Sequence, residues 1–412
     1  MTAARADGEL LRAMRQLSGE MGMLCGMTVC YGNRDNQVIH SLGLQQEVVL
    51  TPQGFADNPH EISASTIFDL ASLTKLYTLV SVLQLAERGL LRLSDEVSAL
   101  DSRFSCLTAC TVEDCLSYRA CLRTPERVDA QPDASAAREM VFRTRRVPLE
   151  GARIYSDMNA LVMKYVVEAV SGLPFLVYLH QNVFAPAGMA ETWAAVPPER
   201  RSDLMNYNYE HKMIGGRYEV GQEVLPGLPH DPKARLLGFN GDVPSGHAGL
   251  FSTASDLCLF ARTLLKGRLV SLESLRQIGV NRTGYLLKDG EYRQFLGLLC
   301  FSKSPVQRLS EVPEWMGLRA FGLSGYTGNH LAIDPEAGVF DLLLGNRCHN
   351  RLSQVMPEEA AKDYGLAEDG TGKVPWHDGR WVRSSFRFIY QKDRLVHRPV
   401  RDCLVARGWL TT

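Results

Sequence analysis

Between Leu70 and Ala86 the chain carries apolar side chains with no polar face: Leu70, Leu73, Leu76, Tyr77, Leu79, Val80, Val82, Leu83, Leu85 and Ala86. Apolar positions around the whole circumference predict a helix buried in a core rather than one lying on a surface. Gly89 supplies the residue that lets such a helix end in a left-handed turn. Lys75 is the only charged side chain between Asp69 and Glu87.

Other elements follow from the same kind of pattern. Leu10, Leu11, Met14 and Leu17 mark an amphipathic helix over 7–19. Alternating stretches at 26–31 and 37–44 predict strands joined by the polar turn Gly32-Asn33-Arg34-Asp35, and 51–63 reads as a polar loop. From about 90 to 290 helical patterns dominate. Thr111 is placed to cap a helix reaching Tyr118. Leu161, Val162, Tyr165, Val166 and Ala169 share one face of a helix over 157–171 that Gly172 ends, and another covers 175–184 before the turn Ala185-Pro186-Ala187-Gly188. Residues 197–245 are polar, rich in Gly, Pro and Tyr, and lack periodicity. A loop of that size in a compact protein is usually functional or disordered. Thr253-Ala254-Ser255-Asp256 has capping-box form ahead of a helix to Leu265. From 291 the pattern turns strand-like, at 294–301, 318–323, 331–334 and 339–344, with the last two joined as a hairpin through 334–338. The basic and aromatic stretch from 376 is read as a strand or helix packed on the sheet with a solvated face.

The expected layout is therefore α/β of the α+β kind. An antiparallel sheet is built from the N- and C-terminal segments, 1–90 and 291–412, and is flanked by helices. A mostly helical lobe, 91–290, is inserted between them, and a site is expected in the cleft between the lobes.

Composition narrows the function classes. The chain has 412 residues, 45% of them hydrophobic, and a formal net charge of −1. That balance gives no electrostatic case for nucleic acid or an anionic membrane, and no apolar run reaches membrane-spanning length. The first twenty residues are mixed and charged, without the apolar core of a secretory signal, so a cytoplasmic location is expected. The ten cysteines include no C-x-x-C pair, and the four between Cys106 and Cys121 are spaced unlike zinc ligands and lack a nearby histidine. Free thiols, no metal and no organic cofactor are expected. Gly370-Thr371-Gly372-Lys373 lacks the spacing of a phosphate-binding loop, and no G-x-S-x-G elbow occurs.

The chemistry centres on Ser72 and Lys75, the sole S-x-x-K in the chain. Residues three apart on a helix share a face, so the lysine nitrogen can reach the serine hydroxyl. A serine becomes nucleophilic when a neighbour takes its proton, and a lysine in apolar surroundings can assist. The helix start also offers unpaired N–H groups to a developing oxyanion. Two further stretches carry candidates. In Tyr155-Ser156-Asp157 a phenol near a lysine can act as a base. In Gly322-Leu323-Ser324-Gly325-Tyr326 glycines let the backbone approach a ligand, and the Tyr326 N–H can join that of Ser72.

The order S-x-x-K, Y-S-D, L-S-G-Y resembles the serine β-lactamase and penicillin-recognising superfamily, most of all class C β-lactamases, DD-peptidases and family VIII carboxylesterases. Segments such as TIFDLASLTKLYT, RIYSDMNALVMKYVVEAVSG, SGHAGLFSTASDL, FGLSGYTGNHLAIDPEAG and LLLGNR extend the resemblance over about 20–350. It implies Ser72 as acylated nucleophile, Lys75 as its activating partner and Tyr155 as general base and acid. Asp157 stands where the β-lactamases have Asn, and Ser72 N–H and Tyr326 N–H form the oxyanion hole. Leu323, Ser324 and Gly325 occupy the place of Lys-Thr-Gly or His-Thr-Gly, so the cation that favours a substrate carboxylate is missing. Arg119 or Arg123 could supply one instead. His247 and Asn346 are further candidates for touching substrate. The expected function is hydrolysis of an ester or amide through an acyl-enzyme, most nearly carboxylesterase-like, on a small-molecule ester, amide or lactam. β-Lactamase, D-amino-acid peptidase or amidase and acyltransferase activities remain as alternatives, and a non-catalytic binding protein as the alternative of another class.

Overall fold

A computed structural model describes all residues except 222–223, 240–243, 308–310, 357 and 412. Its centre is a seven-stranded antiparallel sheet in the order Phe301–Ser302, Phe321–Ser324, His330–Asp334, Val339–Gly345, Gly26–Asn33, Gln37–Thr51, Gly54–Glu61. The N- and C-terminal parts meet where Gly26–Asn33 pairs with Val339–Gly345, Thr28 opposite Leu344.

Side-chain alternation along these two strands builds two cores. Met27, Val29, Tyr31, Val339 and Leu343 face the terminal helices Ala3–Arg15 and Arg398–Ala406, packing on Leu10, Met14, Val400 and Leu404. Cys30, Phe340, Leu342 and Leu344 face the other way, into the larger core that holds Thr74–Glu87, Asp157–Ser171 and Ala254–Leu265. These two central strands are buried on both faces, whereas Gln37–Thr51 and Gly54–Glu61 toward the sheet edge stay partly exposed. The basic C-terminal stretch gives a strand, Trp381–Ser384, and helices packed on the sheet, as its amphipathic pattern implied.

Several elements differ from the sequence reading. Residues 51–63 are not a loop, because the long strand runs to Thr51 and turns into Gly54–Glu61. The 294–301 stretch contributes only Phe301–Ser302 as a strand. The 197–245 segment contains the hairpin Glu210–Ile214 with Arg217–Gly221 and the helix Pro232–Gly238. That hairpin leaves the expected helical lobe to join a second sheet, ordered Lys373–Pro375, Trp381–Ser384, Arg351–Met356, Glu210–Ile214, Arg217–Gly221. The Gly215-Gly216 turn is a local hairpin signal, but the polar strands on either side of it carry no clear period, and the pairing of Glu210–Ile214 with Arg351–Met356 joins segments far apart in the chain. At Thr253 the side chain accepts from the Asp256 N–H, but the Asp256 carboxylate turns to Thr192 and the Glu191 N–H, so only half of the capping box forms.

Among the described residues no single helix is long and apolar enough to cross a membrane. All ten cysteines are free.

Candidate active site

Ser72 lies in a short 3-10 turn, Ala71–Leu73, that runs into the Thr74–Glu87 helix. The turn is built by Asp69. Its carboxylate accepts the Ala71 N–H at 2.9 Å and the His230 N–H at 2.6 Å. Ala71 is thereby held at φ 46°, in the left-handed region that a non-glycine residue seldom occupies. The turn from strand Phe321–Ser324 packs against it. Thr327 Oγ1 and Asn329 Nδ2 donate to the Asp69 carbonyl at 3.0 and 2.7 Å. A Cβ on Gly325 would come within 2.8 Å of the Leu70 carbonyl oxygen, so only glycine permits this approach. Among the described residues the N–H groups of Ser72 and Tyr326 meet no acceptor. They are brought to the same cleft, of about 810 Å³, that both residues line.

Lys75 is fully buried. Its ammonium donates to Ser72 Oγ at 2.8 Å, to Asp157 Oδ1 at 2.8 Å and to the His247 carbonyl at 3.2 Å, which uses all three of its protons. Burial opposes the charge, yet the Asp157 carboxylate outweighs it and Lys75 is held above its ordinary pKa. Asp157 heads its helix beside the N-cap Ser156. Its second oxygen pairs with Lys233 at 3.0 Å, and Lys233 reaches Asp231 at 3.4 Å. Asp231 in turn faces His247 Nε2 at 2.9 Å. Burial pulls the Asp157 pKa up, but Lys75, His247 and Lys233 together press it well below the carboxylate range. The resting charges therefore run from Lys75⁺ through Asp157⁻ and Lys233⁺ to Asp231⁻.

Tyr155 is placed by its backbone. Gln294 Oε1 accepts the N–H groups of Ile154 and Tyr155 at 2.8 and 2.9 Å, and the ring stacks on Phe301 with centroids 5.5 Å apart. The Lys75 ammonium lies 5.1 Å from the ring centroid. The buried phenol oxygen meets full hydrogen-bond geometry with no described group. Burial raises its pKa, with Asp157 adding to the rise and Lys75 and Ser72 working against it, so the neutral phenol dominates at rest.

Other predicted residues fall elsewhere. Leu323 is fully buried in the core, because alternation in its strand turns Ser324 to the cleft and Leu323 away. It cannot meet substrate, and the argument from a missing cation at that side chain fails. Asn346 is also buried. Its amide accepts from the Gly26 N–H and donates to Cys25 Sγ, tying two strands together. The His247 imidazole is buried between Asp231 and Ser245 Oγ, and only its carbonyl serves the site, by holding Lys75. Arg119 is paired to Glu113 at 3.2 Å and Asp114 at 3.5 Å and does not line the cleft, whereas Arg123 lines a neighbouring hollow beside Asp157.

The structure adds groups the sequence reading missed. Ser324 Oγ donates to Glu311 at 2.5 Å, and Glu311 pairs with the buried Lys392 at 3.2 Å. Tyr326 sends its hydroxyl to Glu210 at 2.7 Å and stacks on His230. Asp69 alone left a signal near Ser72, as an Asx-type turn two residues before Ala71. Two sets could hold a metal ion by spacing, Glu210 with His230 and Cys348, and Asp157 with Asp231 and His247. In each set an ammonium is already bound to a carboxylate, Lys212 at Glu210 and Lys233 between the aspartates.

Comparison with known proteins bears on the family and the fold. A family model described as Beta-lactamase matches residues 21–364. A protein of Escherichia coli (strain K12) that carries a D-alanyl-D-alanine carboxypeptidase name is 24% identical over 382 residues, covering 85% of this chain and 83% of the relative. An N-acetylmuramyl-L-alanine amidase of Bacillus subtilis (strain 168) is 27% identical over 332 residues, covering 73% and 72%. Among solved structures, EstCE1, described as a hydrolase with promiscuous acyltransferase activity, superposes with a TM-score of 0.64 at 15% identity, over 96% of this chain and 99% of that one. A mutant simvastatin synthase (LovD) from Aspergillus terreus gives 0.63 at 16% identity, over 97% and 98%. These two likenesses establish the fold.

Proposed function

The chain belongs to the beta-lactamase family of serine hydrolases, and from that premise we propose that it cleaves an ester or amide through an acyl-enzyme on Ser72, with esters as its better substrates. The observation that carries this reading is the Lys75 ammonium, fixed by Asp157 and the His247 carbonyl and aimed at Ser72 Oγ.

The reaction uses the form of the site that has lost one proton from the Lys75–Tyr155 pair, written here as Lys75⁺ with Tyr155 phenolate. Ser72 Oγ attacks the carbonyl carbon while its proton passes to Tyr155. Lys75⁺ stabilises the charge on both oxygens throughout. The carbonyl oxygen becomes an oxyanion held by the Ser72 and Tyr326 N–H groups. Collapse breaks the bond to the leaving group, which takes the proton back from Tyr155, and an ester on Ser72 remains. Water then attacks this ester, again giving its proton to Tyr155. Release of the acid returns Ser72 its proton, and Tyr155 is phenolate once more. An alcohol or amine in place of the water would make the same cycle an acyl transfer, as the name of EstCE1 describes for that protein.

Glu311 sets the preference. The Ser324 hydroxyl already binds a carboxylate, so a substrate carboxylate arriving at this strand would face a like charge. That disfavours β-lactams and C-terminal carboxylates at this position. The peptidase and amidase names of the relatives support an amide as the second reading.

The test is hydrolysis of p-nitrophenyl butyrate and of a chromogenic cephalosporin by wild type and Ser72→Ala, with intact-mass detection of the acylated serine. Ester turnover and an adduct that both vanish in Ser72→Ala support the reading. Ester turnover that survives the substitution would overturn it.

A further inference from the structure

Beyond Ser72 the cleft continues around the ring of Tyr326, and its wall there is cationic. Arg347 lines it, with its guanidinium 4.8 Å from the ring centroid, and the Lys212 ammonium stands at 5.7 Å. His230 stacks on the same ring with centroids 5.5 Å apart, and Arg235 also lines the cavity.

The negative charge available there is already engaged. Glu210 is the carboxylate at the ring. It accepts from Tyr326 and Ser353 and pairs with His230 and Lys212, each at 3.1 Å. Burial opposes the imidazolium, but Cys348 and Glu210 outweigh it and raise the His230 pKa to about 10, so His230 is charged at neutral pH. Elsewhere in the cleft Asp157 and Asp231 are matched by Lys75 and Lys233, and Lys392 is shared between Glu311 and Asp393.

Arg347 stands apart from this balance. It is 6% exposed and forms no ion pair among the described residues. Nη2 donates to the Ser353 carbonyl at 2.9 Å, while Nε is buried without a partner among the described residues. Among the described residues Arg235 likewise bonds only to the carbonyls of Pro229 and His230. A buried guanidinium that faces a cavity without a counter-charge is costly unless a ligand supplies one, and its planar fork suits a carboxylate.

We propose that the wall formed by Arg347, Lys212 and Arg235 is a subsite for a carboxylate carried by the substrate away from the scissile bond, on the side of the Tyr326 ring. The proposal rests on the hydrolase reading above. The cleft is then polarised, with Glu311 repelling an anion at the Ser324 strand and the cations taking one beyond Tyr326. The preferred substrate is an ester or amide with a remote acid group.

Matched ester pairs test it. In one series the carboxylate sits on the acyl chain, as mono-p-nitrophenyl glutarate, adipate and pimelate against their methyl esters. In the other it sits on the leaving group, as 4-(butyryloxy)benzoate against its methyl ester. A charge-assisted contact predicts that kcat/KM favours the acid by about ten- to a hundredfold in at least one series. The ratio should fall with salt and move toward one in Lys212→Met and Arg235→Met, two partly exposed positions chosen because Arg347→Met endangers the packing on Tyr326. Neutral esters turned over at least as well as their acids in both series would overturn the subsite and leave the hydrolase reading intact. If no ester is turned over, the ester preference fails and binding decides the subsite. Pimelate or 4-hydroxybenzoate raising the Tm of wild type but not of Lys212→Met would support it, and no shift with either would overturn it.

Discussion

Asp157 reaches Lys75 at 2.8 Å from the mouth of the cleft, so that a carboxylate still 29% exposed neutralises an ammonium that is fully buried. The same carboxylate also binds Lys233, and its charge fixes the proton inventory of the whole site.

Asp157→Asn keeps an oxygen for Lys75 to donate to but removes the charge. Breaking a buried ion pair from one side leaves an uncompensated cation. With one partner at the cleft mouth, a loss of about 1–3 kcal/mol is expected, read as a lower urea midpoint. The Lys75 pKa should fall with it, and the alkaline region of the kcat/KM profile should move to lower pH. An unchanged profile would show that Asp157 does not set the lysine's charge.

Tyr155→Phe should separate catalysis from stability. Loss of the base is expected to lower kcat/KM by about 10²–10⁴-fold. Removing a buried hydroxyl without a well-formed hydrogen bond should leave Tm unchanged or slightly higher. In wild type, log kcat/KM should rise with pH across the alkaline range, since the phenol pKa lies above its ordinary value of about 10 and the reactive form grows as pH approaches it. A flat wild-type profile, or a mild activity loss in the variant, would remove Tyr155 from the base role.

Glu311→Gln removes the like charge at the Ser324 hydroxyl. The ratio of cephalosporin to p-nitrophenyl butyrate turnover should increase by about ten- to a hundredfold, the worth of relieving one close repulsion of about 1–3 kcal/mol. A ratio that stays put would show that Glu311 does not discriminate against carboxylates.

The Glu210–His230 pair makes stability bell-shaped in pH. The Glu210 pKa is depressed in the folded state, so its contribution is present above an unfolded value of about 4.3 and is lost as pH falls below it. His230 is raised to about 10, so its contribution is complete below an unfolded value of about 6.5 and is lost as pH rises toward 10. Wild-type Tm should therefore be highest between about pH 4.3 and 6.5 as far as this pair contributes. Glu210→Gln should lower Tm most in that window and flatten both limbs. A uniform decrease across pH would show that the pair is not the source.

Some of the protein was determined locally and is visible in the chain itself. Ser72 and Lys75 meet because three residues along a helical turn bring side chains to one face. Thr111 forms its capping box with Asp114, and Gly172 closes the 157–171 helix at φ 70°, since these signals act within a few residues. Recurrent segments in order carried the family and hence the fold. What the tertiary structure decided depends on which way side chains face and what distant segments deliver. Leu323 and Ser324 are neighbours in a four-residue strand, and a one-residue shift of register exchanges core and cleft, so composition could not say which of them meets substrate. Asp231, Lys233, Glu210 and Glu311 lie in stretches without periodicity. Their roles come from electrostatic pairing in space, with Asp157, His230 and Ser324, and Coulomb attraction in a buried site takes no account of separation along the chain.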